Sequence, residues 1–517
     1  MTCSLLAALI CVANLTTAQD ITWSGDGDSD NSGNWSDGDN WGGGILPSDA
    51  DRVILPTVTS GTRTVTQDIA GGVEINALRF VQSGSDGVNR LSLDGNIALM
   101  KPTGETTSLT GTTSAMQWDL SGGATVEQAV IDLNGYSITI KHTISTSKIG
   151  AAFGGIINFN QPGSAIYGTS TGHTGLNVYG KLIVTADGWM GRSHGGTQST
   201  ANVDLRIRAG AELKVMDGAD FSVNKTGRVG LDKPTFTLTN YGLINVEEGA
   251  TLSVIREPTG SSGGSPLTRV INAADGTMEL AGKMRMRAQS AADSDTSSPI
   301  NNNGLWIVDG EQVSIERLTT GRYTAVICMP VFNNGATGTL RGNSWEDCLE
   351  FDEEVADGTR RMPIFNSGKI APGAGSAAED LASVGLLTLR DIDLVMEETG
   401  VIELDIGGAK EAEMDRLVLA KGLNDPADDA GTLDLTEGGT LQLVTANDYD
   451  HLTSFRRPVI TAGSVTGEFE TVKLDGETFT DNELEFANGV RYEVVYEADA
   501  VWLYCFGIDN QTTILIY

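Results

Sequence analysis

Five asparagines, Asn240, Asn272, Asn302, Asn333 and Asn366, recur at steps of 32, 30, 31 and 33 residues. Each sits in an apolar-x-Asn-x-Gly-x-apolar unit: LTNYGLI, PINNNGLWI, VFNNGATG and IFNSGKI, with a looser copy, INAADGTMEL, around Asn272. A near-constant period in this range marks a solenoid, whose repeats bury their apolar sides only against one another. Equivalent residues then stack roughly 4.8 Å apart on parallel strands. Stacked Asn amides can hydrogen-bond along the pile, and Gly takes the corner where a left-handed φ is needed. Leu176-Asn177-Val178-Tyr179-Gly180 reads as an earlier copy, two periods before Asn240. The plainer reading is a set of unrelated Asn-Gly turns in a Gly-rich β protein.

Between the Asn units, short apolar/polar alternations such as Ile138-Thr139-Ile140, Lys181-Leu182-Ile183-Val184, Glu212-Leu213-Lys214-Val215 and Thr251-Leu252-Ser253-Val254 read as period-two strands. Helical periodicity is best at Glu379–Leu389 and Ala409–Leu419, and neither segment is well capped. Gly supplies 64 of 517 residues and Pro only 13, which fits many short strands joined by sharp turns and disfavours collagen or disorder. The expectation is an all-β, right-handed parallel β-helix over residues 61–365. A Trp/Asp-rich cap at 19–60 would precede it, and an irregular β segment at 366–505 and a tail at 506–517 would follow.

Residues 1–18 carry an apolar run from Leu5 to Leu15 and small residues up to Ala18, the pattern of a secretory signal peptide, although no Lys or Arg precedes the run. No other stretch approaches the roughly 18 apolar residues of a membrane helix. With 34 basic against 68 acidic residues the net charge is −34, which argues against nucleic acid and anionic membranes as partners. Cys3 and Cys11 lie in the signal segment. Cys328, Cys348 and Cys505 are too few for a disulfide scaffold, though Cys328 and Cys348 could bond in an oxidising compartment, and no Cys/His cluster supports zinc.

Two stretches resemble known families. Trp23-Ser24-Gly25, Gly33-Asn34-Trp35, Asn40-Trp41, Pro47, Asp51 and Val53-Ile54-Leu55 are similar to the opening of autotransporter-associated β-strand repeat proteins. Ile131-Asp132-Leu133-Asn134-Gly135-Tyr136 has the wording of the same proteins. Over residues 366–503, Gly368-Lys369-Ile370-Ala371-Pro372-Gly373, Ile402-Glu403-Leu404-Asp405-Ile406-Gly407-Gly408, Asp415-Arg416-Leu417-Val418-Leu419 and Val465-Thr466-Gly467-Glu468-Phe469 resemble the terminal β-helix segment of autotransporter passengers. The resemblance implies a β-helical stalk with an extracellular or surface role. Cys505–Tyr517 reads as neither a translocating barrel nor a sorting tail, so the expectation is a passenger-like module alone.

The densest acidic motif runs from Gly25 to Asp37. With Asp26 as position one of a calcium loop, Asp28, Asp30, Ser32 and Asp37 fall at positions three, five, seven and twelve. Position six is Asn31 where Gly is usual, and acidic Gly/Ser loops also occur as plain solvated turns. No cofactor is required by this reading, and Ca²⁺ is the one candidate. A second acidic run, Glu346-Asp347 to Asp352-Glu353-Glu354, adjoins Trp345 and reads first as a solvated loop. Trp345 and Trp189 are candidate sugar platforms or, more plainly, packing residues. His142, His173, His194 and His451 are scattered without a nucleophile motif, and Asp428-Asp429 looks like a turn. No catalytic residue is assigned. The function expected is structural or adhesive, with surface or glycan components as partners. The alternative is a polysaccharide lyase or glycoside hydrolase on the same scaffold. Three or more carboxylates meeting in one groove would favour the enzyme; exposed aromatic rings in line would favour binding.

Overall fold

A computed structural model describes residues 19–25, 32–84, 86–99, 116–140, 149–168, 174–192, 203–227, 236–258, 268–286, 299–308, 315–318, 331–346, 349–350, 361–373, 384–422, 429–447 and 449–507. The chain is all-β among these residues, apart from three single 3-10 turns. Three long sheets carry it: a first of 16 strands, a second of 11 and a third of 10.

The strand order explains the period. Val203–Ile207 lies in the second sheet, Glu212–Val215 in the first and Asp220–Gly227 in the third. Phe236–Asn240, Leu243–Val246 and Thr251–Pro258 then revisit the sheets in the same order, each pairing parallel with its predecessor. Along the three sheets strands pair parallel with the strand one circuit later, up to the antiparallel pair Thr471–Leu474 with Glu477–Thr478 that ends the first sheet, an order consistent with a solenoid. Strands form here because each alternates: Glu212-Leu213-Lys214-Val215 points Leu213 and Val215 inward and the two charged residues outward. The inward residues stack in register, from Leu182 through Leu213, Ile244 and Met278 to Trp306 and Leu340, all buried. Each such side chain is worth about 1.5–3 kcal/mol when fully buried.

The asparagine repeat is a buried ladder, with two corrections to its membership. The Nδ2 amide of Asn240 donates to Oδ1 of Asn272 at 2.9 Å, and Asn272 to Asn302 at 2.8 Å. Asn302 donates to Asn334 at 2.8 Å and Asn334 to Asn366 at 2.7 Å. The fourth member is thus Asn334, not Asn333. Asn333 points to the outer face, where its Nδ2 donates to Asn301 Oδ1 at 3.1 Å. A slip of one residue along a strand exchanges the faces. Asn177 is corrected for the same reason. Val178, through Ile207, stands in register with Asn240, whereas Asn177 pairs with Arg206. Each inner rung also donates to the backbone of the circuit above, at Leu305 O from Asn272 and at Thr339 O from Asn302. The ladder ends on Met396, whose Sδ lies 3.5 Å from Asn366 Nδ2.

Both ends differ from the middle. At the N-terminal end Trp23, Trp35 and Trp41 are buried edge to face, with centroids 4.8 Å apart in both contacts, and Trp41 Nε1 donates to Trp35 O. At the C-terminal end Glu483–Glu485, Arg491–Glu497 and Ala500–Phe506 pair antiparallel with their neighbours in the chain, and Ala500–Phe506 also pairs antiparallel with the remote Phe455–Thr461. Among the described residues neither helical candidate forms an α-helix. Within Ala409–Leu419 there is one 3-10 turn, Glu411–Glu413, leading into the strand Arg416–Ala420, and the described end of Glu379–Leu389 enters the strand Leu386–Arg390.

Candidate functional site

A hollow on the outside of the coil arises from unequal corners between the first and third sheets. Val246 is in register with Leu280 and Thr251 with Lys283. Four residues, 247–250, turn the corner in one circuit, but only Ala281 and Gly282 turn it in the next. The short corner runs directly against its neighbour: a Cβ on Gly282 would sit 2.3 Å from Glu247 O and 2.4 Å from Ala250 O. Above it opens a groove of about 800 Å³ lined by Asp217, Glu247, Glu248, Thr251, Lys283 and Arg285. A smaller hollow of about 240 Å³, reached by Asn245, Glu279 and Ile307, lies on the other side of Glu247 and Glu248.

Three carboxylates from two circuits therefore meet in one groove. Lys214 Nζ lies 2.7 Å from Glu247 Oε1, and Glu247 Oε2 accepts the Asp217 N–H at 3.2 Å. The hydrogen bond from Lys214 holds Glu247 below the usual carboxylate range despite some burial, so it stays ionised. Asp220 Oδ1 accepts from Ser253 Oγ at 3.1 Å, and its Oδ2 lies 3.5 Å from Arg285 Nη1. The groove presents fixed charges of both signs. That suits holding a polar ligand better than donating a proton, which needs a carboxyl kept protonated.

No family model and no curated protein matches this chain.

Carboxyls with raised pKa lie elsewhere. Asp415 is buried, its Oδ1 accepting Gly385 N–H at 2.5 Å and its Oδ2 accepting Asp405 N–H at 3.0 Å. Burial pushes Asp415 up to about 8, and burial together with the nearby Glu403 pushes Asp405 up to about 6. Folding thus retains protons on these groups that the unfolded chain releases near pH 4. Stability is expected to fall as pH rises from about 4 through about 6 for Asp405 and on to about 8 for Asp415. Melting temperature followed against pH checks this, and Asp415→Asn should flatten the upper part of the slope.

His451 is the one histidine among the described residues. Tyr492 OH donates to its Nδ1 at 2.6 Å, its Nε2–H donates to Thr445 Oγ1 at 3.0 Å, and Thr445 donates to Asp475 Oδ2 at 2.5 Å. The direction follows from the carboxylate, which only accepts. Burial lowers the His451 pKa. The chain ties the terminal hairpin to the last circuit, and its inner end, Tyr492, is fully buried.

Of the proposed calcium ligands, Asp26, Asp28 and Asp30 lie outside the described residues. Ser32 Oγ accepts Thr64 N–H at 2.9 Å, and Asp37 caps a 3-10 turn by accepting Asp39 N–H at 3.0 Å. Among the described residues no group of three His, Cys, Asp or Glu is placed to hold a metal ion. Cys328, Cys348, His142, His173, His194, Asp347, Asp352 to Glu354 and Asp428 also lie outside them. Cys505 is a free, buried thiol. Trp345 sits on the strand Ser344–Glu346, and Trp189 is half-buried on the third sheet in register with Ser222. Asp429 supplies only a backbone carbonyl, to Arg361 at 2.8 Å. Sequence reasoning missed the groove carboxylates; the signal for them was the shared acid-Gly-Ala spelling of Asp217-Gly218-Ala219 and Glu248-Gly249-Ala250, one period apart.

Proposed function

We propose that this chain is a secreted or cell-surface, structural and adhesive protein, a right-handed parallel β-helix of the autotransporter-passenger kind, displaying its connections for surface or glycan contact without catalysis. The observation that carries the reading is where the long connections fall. Residues 193–202, 228–235, 259–267 and 287–298 each join a third-sheet strand to the next second-sheet strand, whereas the corner between the second and first sheets never exceeds four residues from Val178 to Lys369. Insertions confined to one position of a repeat collect on one face, often the binding face. The scaffold needs no cofactor, and Ca²⁺ at Asp26, Asp28, Asp30, Ser32 and Asp37 would be an addition to it.

A second reading, a polysaccharide lyase or glycoside hydrolase, is favoured by one observation, the convergence of Asp217, Glu247 and Glu248. Incubating purified protein with a panel of acidic polysaccharides separates the two. Retention without new chain ends is expected. Cleavage that disappears in Glu248→Gln would overturn the adhesive reading in favour of the enzyme.

A further inference from the structure

The corner between the second and first sheets repeats one backbone geometry. The residue after the ladder position donates its N–H to the preceding circuit at 2.7 Å for Tyr179, 2.9 Å for Arg208 and 2.7 Å for Tyr241. Ala273, Asn303, Gly335 and Ser367 do the same at 2.8 Å in the later circuits. This backbone bond asks nothing of the side chain, and four circuits fill the place with small or polar residues. Three consecutive circuits instead carry Tyr, Arg and Tyr. The rings are among the most exposed large side chains described, at 46% for Tyr179 and 37% for Tyr241.

Arg208 stands between them, its guanidinium carbon 5.9 Å and 5.7 Å from the two ring centroids. Its Nε donates to Asn177 Oδ1 at 2.8 Å, which fixes the plane and turns the two terminal nitrogens away from that bond. Among the described residues no carboxylate pairs with Arg208, although its neighbour Arg206 has Asp204 at 3.3 Å. What distinguishes Arg208 from the other arginines is its place between two exposed rings, where its charge faces no acid among the described residues.

We propose that Tyr179, Arg208 and Tyr241 form a subsite for an acidic polysaccharide laid along the stacking direction, one sugar carboxylate on Arg208 and the flanking pyranose rings against the tyrosines. This rests on the adhesive reading and names its site. The two tyrosines are two strand spacings apart, about 10 Å, the reach of two successive sugar units. Guanidinium takes a carboxylate through two parallel N–H···O bonds, and tyrosine offers a rigid contact face at little entropic expense. The net charge does not forbid a polyanion, because at physiological salt charges beyond about 8 Å are largely screened.

The test uses the full chain on immobilised polygalacturonate, with the fully methyl-esterified polymer as the uncharged control. Arg208→Ala should bind polygalacturonate about ten- to a hundredfold more weakly, Arg208→Lys should recover part of the loss, and the Tyr179→Ala/Tyr241→Ala pair should also weaken it. The Tyr179→Ala/Tyr241→Ala pair should leave the melting temperature unmoved, whereas Arg208→Ala, which strips buried Asn177 Oδ1 of its donor, should lower it, so binding is compared at a temperature where every variant is folded. If the variants bind polygalacturonate as tightly as the parent, the subsite is wrong while the adhesive reading stands. Equal Arg208-dependent binding of the ester would overturn the anionic assignment. If the parent binds neither polymer, the subsite is again overturned, and the adhesive reading loses its glycan partner.

Discussion

Asn334→Leu is expected to destabilise the chain by about 2–6 kcal/mol, and Asn333→Leu by less than about 1 kcal/mol, although the residues are adjacent and the change identical. Asn334 is buried and makes three hydrogen bonds: it accepts from Asn302, and donates to Asn366 Oδ1 at 2.7 Å and Lys369 O at 2.9 Å. Leucine would leave one N–H of Asn302 and the Oδ1 of Asn366 without partners in a dry interior, at about 1–3 kcal/mol each. Its isobutyl group would add no compensating burial, because the site is already filled. Asn333 loses only an outer-face bond to Asn301, which water can replace. Denaturation midpoints of the two variants measure the difference directly. Equal effects would mean that the ladder is not the one described.

Gly304→Val should be more damaging still, preventing two successive circuits from packing against each other. A Cβ at Gly304 would lie 2.2 Å from Ala273 O and 2.3 Å from Gly276 O, and both are backbone atoms held by their own pairing. No rotamer relieves such a contact, so the two circuits must part and the apolar stack between Met278 and Trp306 opens with them. Gly210→Ala is the contrast. Its φ of +77° is left-handed, but nothing lies within 4 Å of an added Cβ, so about 1–2 kcal/mol is expected. Soluble yield and melting temperature should separate the two variants clearly. Similar behaviour would contradict the close approach at Gly304.

The period was legible because each circuit repeats the same polar residue at the same buried place, and a buried amide cannot be exchanged for another side chain without orphaning its neighbours. The register was legible only in part. The corner after the ladder alternates in length: Asn240, Asn302 and Asn366 are followed by x-Gly, but Asn272 and Asn334 by three residues and then Gly276 and Gly338. Reading Asn-x-Gly throughout selects Asn333 because Gly335 happens to follow it. The N-x-x-x-G-T spelling shared by Asn272 and Asn334 was the signal for the correct residue. Asn177 misled in the same way, one position before Val178. The groove was legible only in part: Asp217 and Glu248 fill the same place in two equal corners, Met216-Asp217-Gly218-Ala219 and Glu247-Glu248-Gly249-Ala250, but the space beside them opens because the next corner, Ala281-Gly282, is two residues shorter, which shows only once the circuits are aligned. The Tyr179, Arg208 and Tyr241 row likewise became visible only once the circuits were aligned.

The central claim, that successive circuits stack in register along one direction, is most directly tested by pulsed dipolar spectroscopy on spin-labelled pairs. Lys181 and Thr339 lie five strand spacings apart on the outer face of the first sheet, and Lys181 and Thr471 nine. At roughly 4.8 Å per strand the labels should be about 24 Å and about 43 Å apart. A second distance equal to or shorter than the first would contradict the stack, and with it every site assigned on its surface.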